Sequence, residues 1–184
     1  VGKIHEGFIA ALKTEVESLV VGPGELSGVT TGPVISANAK AEIESAVADA
    51  ITEGGKVIAQ AKIPEGPGFY VAPTVLEGSM EIRTCKEEVF GPITTVMNTD
   101  SLDKAIEIAN ATEFGLTASI FSADDRDIHQ ATKGLVAGLI KVNAPNTGSE
   151  FHVPFGGLKS STFPGPREQN AESVAEFFTI TKSV

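Results

Sequence analysis

The sequence predicts an α/β fold: a three-layer αβα domain built on a parallel sheet. Three observations carry this expectation. From residue 93 to 142, short β-prone runs alternate with helix-length runs, and the connections between them are brief. That order is typical of βαβ units, in which helices cover a parallel sheet. In addition, the 184 residues are 41% hydrophobic and 21% charged, enough for one soluble domain with a sizeable core.

Each element has a local reason. Ile4, Phe8, Ile9, Leu12, Val16, Leu19 and Val20 recur at helical spacing, so a helix is expected over about residues 3–20. Gly22-Pro23-Gly24 stops it, because proline cannot continue a helix and glycine tolerates the turn. Residues 28–32 belong to a long loop. Ser36 opens a second helix, marked by Ile43, Val47, Ala50 and Ile51, and Gly54-Gly55 ends it. Residues 56–60 are short and β-prone. Pro64-Glu65-Gly66-Pro67-Gly68 is a turn, and Phe69-Tyr70-Val71 and Thr74-Val75-Leu76 follow as strand-like runs.

Ile93-Thr94-Thr95-Val96-Met97 reads as a buried strand, and residues 102–110 as a short helix with Ser101 or Asp100 as its N-cap. Residues 117–121 form a strand, 124–133 a helix and 138–142 a further strand. The segment from 144 to 170 is rich in Pro, Gly, Ser and Thr and reads as one long irregular loop, a kind of segment often used for function. Residues 171–177 look helical. Residues 178–184 then alternate with period two, as a terminal strand in need of a partner does.

Composition narrows the function. A net charge of −10 and a pI near 4.7 disfavour nucleic acid and anionic membranes as partners. No apolar run approaches the roughly 20 residues of a membrane-spanning helix, and no signal peptide is visible. Cys85 is the only cysteine, which rules out an internal disulfide and fits a reducing compartment such as the cytoplasm. The three histidines are dispersed, so metal ligation has no support. The chain opens at Val1 directly into helical pattern, which suggests a piece cut from a longer protein.

Four stretches in order, residues 87–92, 114–118, 138–143 and 154–160, together resemble the NAD(P)-dependent aldehyde dehydrogenase superfamily. Glu87-Glu88-Val89-Phe90-Gly91-Pro92 is similar to its E-E-[IV]-F-G-P motif, and Phe114-Gly115-Leu116-Thr117-Ala118 to its Y/F-G-L-[TA]-A segment. Gly138-Leu139-Ile140-Lys141-Val142-Asn143 is similar to its G-x-[IV]-x-[VI]-N strand, and Pro154-Phe155-Gly156-Gly157-Leu158-Lys159-Ser160 to its P-F-G-G-x-K-x-S loop. The flanking segments 68–75 and 176–182 also fit, so the resemblance covers essentially the whole chain. It implies the C-terminal portion of the catalytic domain over residues 1–170. Residues 171–184 would supply a helix end and an oligomerisation strand, for assembly into a dimer or tetramer.

In this family a cysteine attacks the aldehyde, hydride passes to NAD or NADP, and a glutamate activates the water that releases the acid. The resemblance places that cysteine before residue 1, so no catalytic residue is expected in the chain and the chain alone is expected to be inactive. It assigns Glu88 to the nicotinamide ribose hydroxyls, a task suited to an acceptor-only carboxylate. It places Phe90 near the nicotinamide ring and Phe155 on the wall of the aldehyde tunnel. The residues taken without the motif read differently: Glu88 as a surface glutamate beside Glu87, Phe90 as a core aromatic, Phe155 as a loop packing residue.

Gly156 and Gly157 read as a tight turn where side chains do not fit. Gly156-Gly157-Leu158-Lys159-Ser160 is not a phosphate-binding loop, because Leu158 stands where glycine must precede the lysine. Lys159 therefore reads as structural. Cys85 reads as a small apolar residue rather than a nucleophile. His152 is either an exposed loop residue or a hydrogen-bonding partner for a polar substrate. The pair F-H-V-P-F-G-G and G-P-R-E-Q resembles the branch acting on 2-oxoglutarate semialdehyde (2,5-dioxopentanoate). Arg167 then faces a substrate carboxylate or braces the loop with Glu168, and Asn170 departs from the family's usual glycine. The alternative to a dehydrogenase portion is a non-catalytic structural or oligomerisation module derived from the same family.

Overall fold

The computed structural model describes residues 1–148, 150–163, 170–171 and 173–183. The chain forms two compact units, Val1–Ser101 and Leu102–Val184.

In the first unit, a 3-10 turn over Gly2–Ile4 leads into α1 (His5–Ser18), followed by α2 (Ala37–Thr52). Ser36 caps α2, its hydroxyl accepting from the Ala39 amide at 3.1 Å, as a serine with extended backbone before an apolar stripe should. Three strands follow: β1 (Lys56–Gln60), β2 (Thr74–Glu77) and β3 (Ile93–Val96). They form one sheet in the order β1-β2-β3, with β2 and β3 parallel and β1 antiparallel to β2. The parallel expectation thus holds for β2 and β3, while β1 makes the sheet mixed.

The central strand explains the layering. Val75 packs with Ala59 and with Val16 of α1, while the next residue, Leu76, packs with Ile82 and with Ala50 of α2. Because successive side chains of a strand point to opposite faces, one helix covers each side of the sheet. Leu76 and Ala50 are fully buried. His5 joins the layers at their margin, its Nε2 lying 3.0 Å from Oε1 of Glu77.

Several expectations are corrected. Residues 69–71 form no strand; Tyr70 is buried with Val21 and Ala61, and the Phe69 carbonyl accepts from the Val34 amide, so the apolar run serves a loop core. β3 is only partly buried rather than buried, because it lies at the edge of its sheet among the described residues. Ile4 and Phe8 of the predicted helical stripe stay exposed, and only Val16 of α1 is buried.

The second unit contains α3 (Leu102–Asn110), β4 (Phe114–Gly115), β5 (Thr117–Ile120), α4 (Asp125–Gly134), β6 (Leu139–Val142), β7 (Leu158–Lys159) and α5 (Ser173–Phe178). β5, α4 and β6 form the expected unit of two parallel strands joined through a helix, in the register Thr117–Leu139 to Ile120–Val142. Asp124 caps α4, accepting from the Arg126 amide at 2.8 Å. The Arg126 guanidinium on the same carboxylate holds Asp124 below its ordinary pKa. β4 and β7 were not expected: a two-residue antiparallel pairing recovers part of the segment read as one irregular loop.

The strand expected over residues 178–184 is absent among the described residues: α5 runs to Phe178, and 179–183 are exposed and unladdered. Period two shows which side chains share a face, but a strand exists only through its hydrogen-bonded neighbour, and the described residues provide none. No helix among the described residues is long and apolar enough to cross a membrane.

Candidate functional site

In the first unit, the segment after β2 wraps against α2. Arg83 organises it. Its amide donates to Oε2 of Glu53 at 2.7 Å, and its guanidinium reaches Oδ2 of Asp49 at 3.9 Å and Oε2 of Glu87 at 3.5 Å. Gly91 then lies directly on α2, and a Cβ there would sit 2.6 Å from Cδ1 of Ile43, so a side chain at this position would push the segment off the helix. The Pro92 carbonyl accepts from the Thr74 amide and starts the β2–β3 ladder.

This route brings Glu88 and Phe90 together at a cavity of about 280 Å³, also lined by Ala39, Glu42, Ile43, Ala46, Arg83 and Val89. The two adjacent glutamates differ in kind. Glu87 is committed to Arg83, while the exposed Glu88 carboxylate takes no partner among the described residues. It is therefore available to accept from a ligand's hydroxyls. Phe90 is 85% exposed, which overturns its reading as a core aromatic and leaves a whole ring face open. The site thus sets a carboxylate with no partner among the described residues beside an exposed aromatic ring, at the mouth of a small cavity. A larger cavity of about 590 Å³ lies elsewhere in this unit, between Glu44 and Lys62, and holds none of the expected site residues.

In the second unit, the segment from 143 to 159 carries His152 and Phe155. Gly138 and Gly156 meet backbone to backbone, and a Cβ on Gly138 would lie 1.7 Å from the Gly156 carbonyl oxygen. A Cβ on Gly157 would lie 2.3 Å from the carbonyl oxygen of Ser161. At Gly157 the expectation that a side chain does not fit is met by contact, not by positive φ. Phe155 is half-buried beside the turn. His152 is exposed and meets the Phe151 ring edge-on, with centroids 5.3 Å apart.

The family model of the aldehyde dehydrogenase family matches residues 1–184. The chain belongs to the aldehyde dehydrogenase family. An alpha-ketoglutarate semialdehyde dehydrogenase of Haloferax volcanii is 36% identical over 98% of this chain. A 2,5-dioxopentanoate dehydrogenase of Saccharolobus solfataricus is 34% identical, again over 98%. A betaine aldehyde dehydrogenase of Cereibacter sphaeroides also matches at 34% and 98%. The chain spans 38% of the length of the first two and 37% of the third. Among solved structures, PnpE in complex with nicotinamide adenine dinucleotide superposes with a TM-score of 0.85 and 32% identity. That match covers 94% of this chain and 36% of PnpE.

Within this aldehyde dehydrogenase chain, Cys85 follows the expected apolar pattern. It packs against the cluster of Ala50, Leu76 and Ile82. Burial pushes its thiol above the ordinary value, against the opposing pull of a hydrogen bond with Thr95 and the charge of Lys86; Glu53 adds to the rise. The thiolate fraction near neutral pH is therefore below that of a free cysteine, the reverse of what a nucleophile needs. Iodoacetamide should alkylate folded Cys85 more slowly than the urea-unfolded chain, with the rate rising only at higher pH than for a free thiol. Faster labelling of the folded form would make Cys85 an activated thiol.

Three contributions escaped the sequence reading. Asn143 stands in the left-handed region with φ 52°, its Oδ1 accepting from the Ser122 amide and its Nδ2 donating to the Ser122 carbonyl, both at 3.0 Å. Its side chain thereby continues the β5–β6 ladder. Lys141 donates to the carbonyls of Thr147 and Gly148. Ser161 accepts from the Gly115 amide at 3.0 Å. The one visible signal was asparagine ending the strand, a residue tolerated at positive φ. Arg167 and Glu168 lie outside the described residues.

Proposed function

We propose that the protein carrying this chain oxidises an aldehyde to its carboxylic acid with NAD or NADP as hydride acceptor, and that this chain supplies part of the dinucleotide and aldehyde sites. The observation that carries the reading is the Glu88 carboxylate, without a partner among the described residues, beside the exposed Phe90 ring. Glu88 would accept from the nicotinamide ribose hydroxyls, two acceptor oxygens serving two donors. Phe90 would limit the positions open to the nicotinamide ring. Phe155 would line the aldehyde channel, where apolar walls keep bulk water from the reacting centre.

The substrate class we favour is a keto-acid semialdehyde, namely 2-oxoglutarate semialdehyde. Support comes from the F-H-V-P-F-G-G and G-P-R-E-Q segments and from two relatives named for that compound. A betaine aldehyde dehydrogenase is similarly close, so the discriminating experiment compares the two aldehydes. The protein read from the complete coding frame that contains these residues should reduce NAD or NADP with 2-oxoglutarate semialdehyde at higher kcat/KM than with betaine aldehyde. The 184-residue polypeptide alone should turn over neither, since Cys85 is its only thiol. Absence of turnover from the complete-frame protein with a broad aldehyde panel would reject the function. A preference for betaine aldehyde would reject only the substrate class.

A second reading, self-association into a dimer or tetramer, draws on the C-terminal end. Ile180 is 96% and Phe178 74% exposed, apolar surface of the kind that other chains cover.

A further inference from the structure

Lys159 sits in an uncommon conformation for a reason that its role as a loop residue does not supply. Its φ is 53°, in the left-handed region where a non-glycine residue carries strain. Its ammonium donates to the carbonyl of Asn110 at 2.8 Å and to that of Thr112 at 3.0 Å. Asn110 is the last residue of α3, so the lysine supplies a donor and positive charge to the helix's terminal carbonyl, and a second donor to the Thr112 carbonyl just beyond the helix. Asn110 is itself held, its amide donating to the Gly134 carbonyl at 2.7 Å and its Oδ1 accepting from the Val136 amide at 2.8 Å.

Around this clasp the backbone is stitched on both sides. Phe114 pairs with Lys159 and Gly115 with Leu158; the Ser160 amide donates to the Glu113 carbonyl at 3.0 Å. The other end of the same segment is fastened in the same manner by Asn143, also left-handed and also bonded through its side chain to backbone across the unit. Lys159 on one side of Phe155 and Asn143 on the other are thus both tied to backbone through their side chains, and Lys159 carries backbone strain as well.

We propose that Lys159 is a positioning residue for aldehyde recognition: by clasping the end of α3 it fixes the Gly156-Gly157 turn and hence the Phe155 ring. It touches no substrate and acts through the turn. The inference rests on the assignment of Phe155 to the aldehyde channel, and two independent readouts separate the two ideas.

The first readout is amide hydrogen exchange in the 184-residue chain. Lys159→Met keeps the stem and removes the donors, and should raise exchange at residues 157–161 roughly tenfold or more, as loss of a charged hydrogen bond implies, with residues 74–77 unchanged. Lys159→Gly relieves the strain but lacks the ammonium, and should loosen the turn as Lys159→Met does. Lys159→Arg, which keeps charge and donors, should restore part of the protection. Unchanged exchange in Lys159→Met, or full protection in Lys159→Gly, would overturn the clasp.

The second readout is kinetic, in the complete-frame protein. Lys159→Met should lower kcat/KM for the aldehyde about tenfold through KM, leave dinucleotide Kd within twofold, and be partly rescued in Lys159→Arg. If exchange rises but aldehyde KM does not move, the clasp stands as architecture and its positioning role is overturned. If Phe155→Ala also leaves aldehyde KM unchanged, the fault lies with the channel assignment instead.

Discussion

Glu88→Gln should weaken dinucleotide binding by about ten- to a hundredfold in the protein read from the complete coding frame, whereas Glu87→Gln should leave it within a few-fold. The substitution keeps size and one acceptor oxygen but removes the charge. A hydrogen bond to a charged group contributes about 1.5–3 kcal/mol, and two ribose hydroxyls are in question. Glu87 is the internal control because it has the same chemistry one residue away. Its carboxylate faces Arg83 at 3.5 Å in an exposed pair, an interaction of at most about 1 kcal/mol that concerns the segment and not the ligand. Isothermal titration with NAD and NADP, alongside aldehyde kinetics at saturating aldehyde, reads both variants. If Glu87→Gln is the damaging change and Glu88→Gln is silent, the ribose assignment belongs to the wrong glutamate.

Gly138→Ala should destabilise the second unit by about 3 kcal/mol, near the upper end for forcing extra atoms into a close-packed site. The new Cβ would fall 1.7 Å from the Gly156 carbonyl oxygen and 2.8 Å from its carbon. Those neighbours are backbone, so no rotamer change relieves the contact. The chain has to separate Gly138 from the Gly156-Gly157 turn, at the expense of the Gly138 amide's bond to the Gly115 carbonyl. Urea unfolding of the 184-residue chain measures the loss. Gly24→Ala is the control, since a Cβ there meets nothing within 4 Å and φ is not positive; it should change stability by less than about 0.5 kcal/mol. A near-neutral Gly138→Ala would mean that the turn yields to a side chain, and its close seating on Gly138 would not be a constraint.

How far the fold was legible varies with the range of the interactions that form it. Both long helices were visible from apolar spacing and their stops, and α4 as a helix-length run between two β-prone ones. β5, α4 and β6 were visible as alternating runs. What was illegible came from pairings between distant residues. The antiparallel placement of β1, the two-residue β4–β7 ladder and the absence of a terminal strand among the described residues all depend on neighbours that no local pattern names. Tyr70 illustrates the limit: a β-prone aromatic run is just as good at filling a loop core.

The candidate site divides similarly. Glu88, Phe90 and Phe155 were legible only as members of motifs, since an exposed glutamate and two phenylalanines carry no distinguishing chemistry alone. The structure then separates Glu87 from Glu88 by giving one an arginine and the other no partner among the described residues. It exposes Phe90 where a core aromatic was also admissible. Phe155 lies in the other compact unit from the first two.

The residue order by itself determined the family, the α/β class and the helices, because apolar periodicity, caps and motifs are properties of neighbouring positions. Tertiary structure alone decided which glutamate Arg83 engages, why Gly138 tolerates no side chain, and what Lys159 holds. Those follow from contacts between residues tens of positions apart, such as Lys159 with Asn110 and Gly138 with Gly156, and proximity of that kind exists only once the chain has folded.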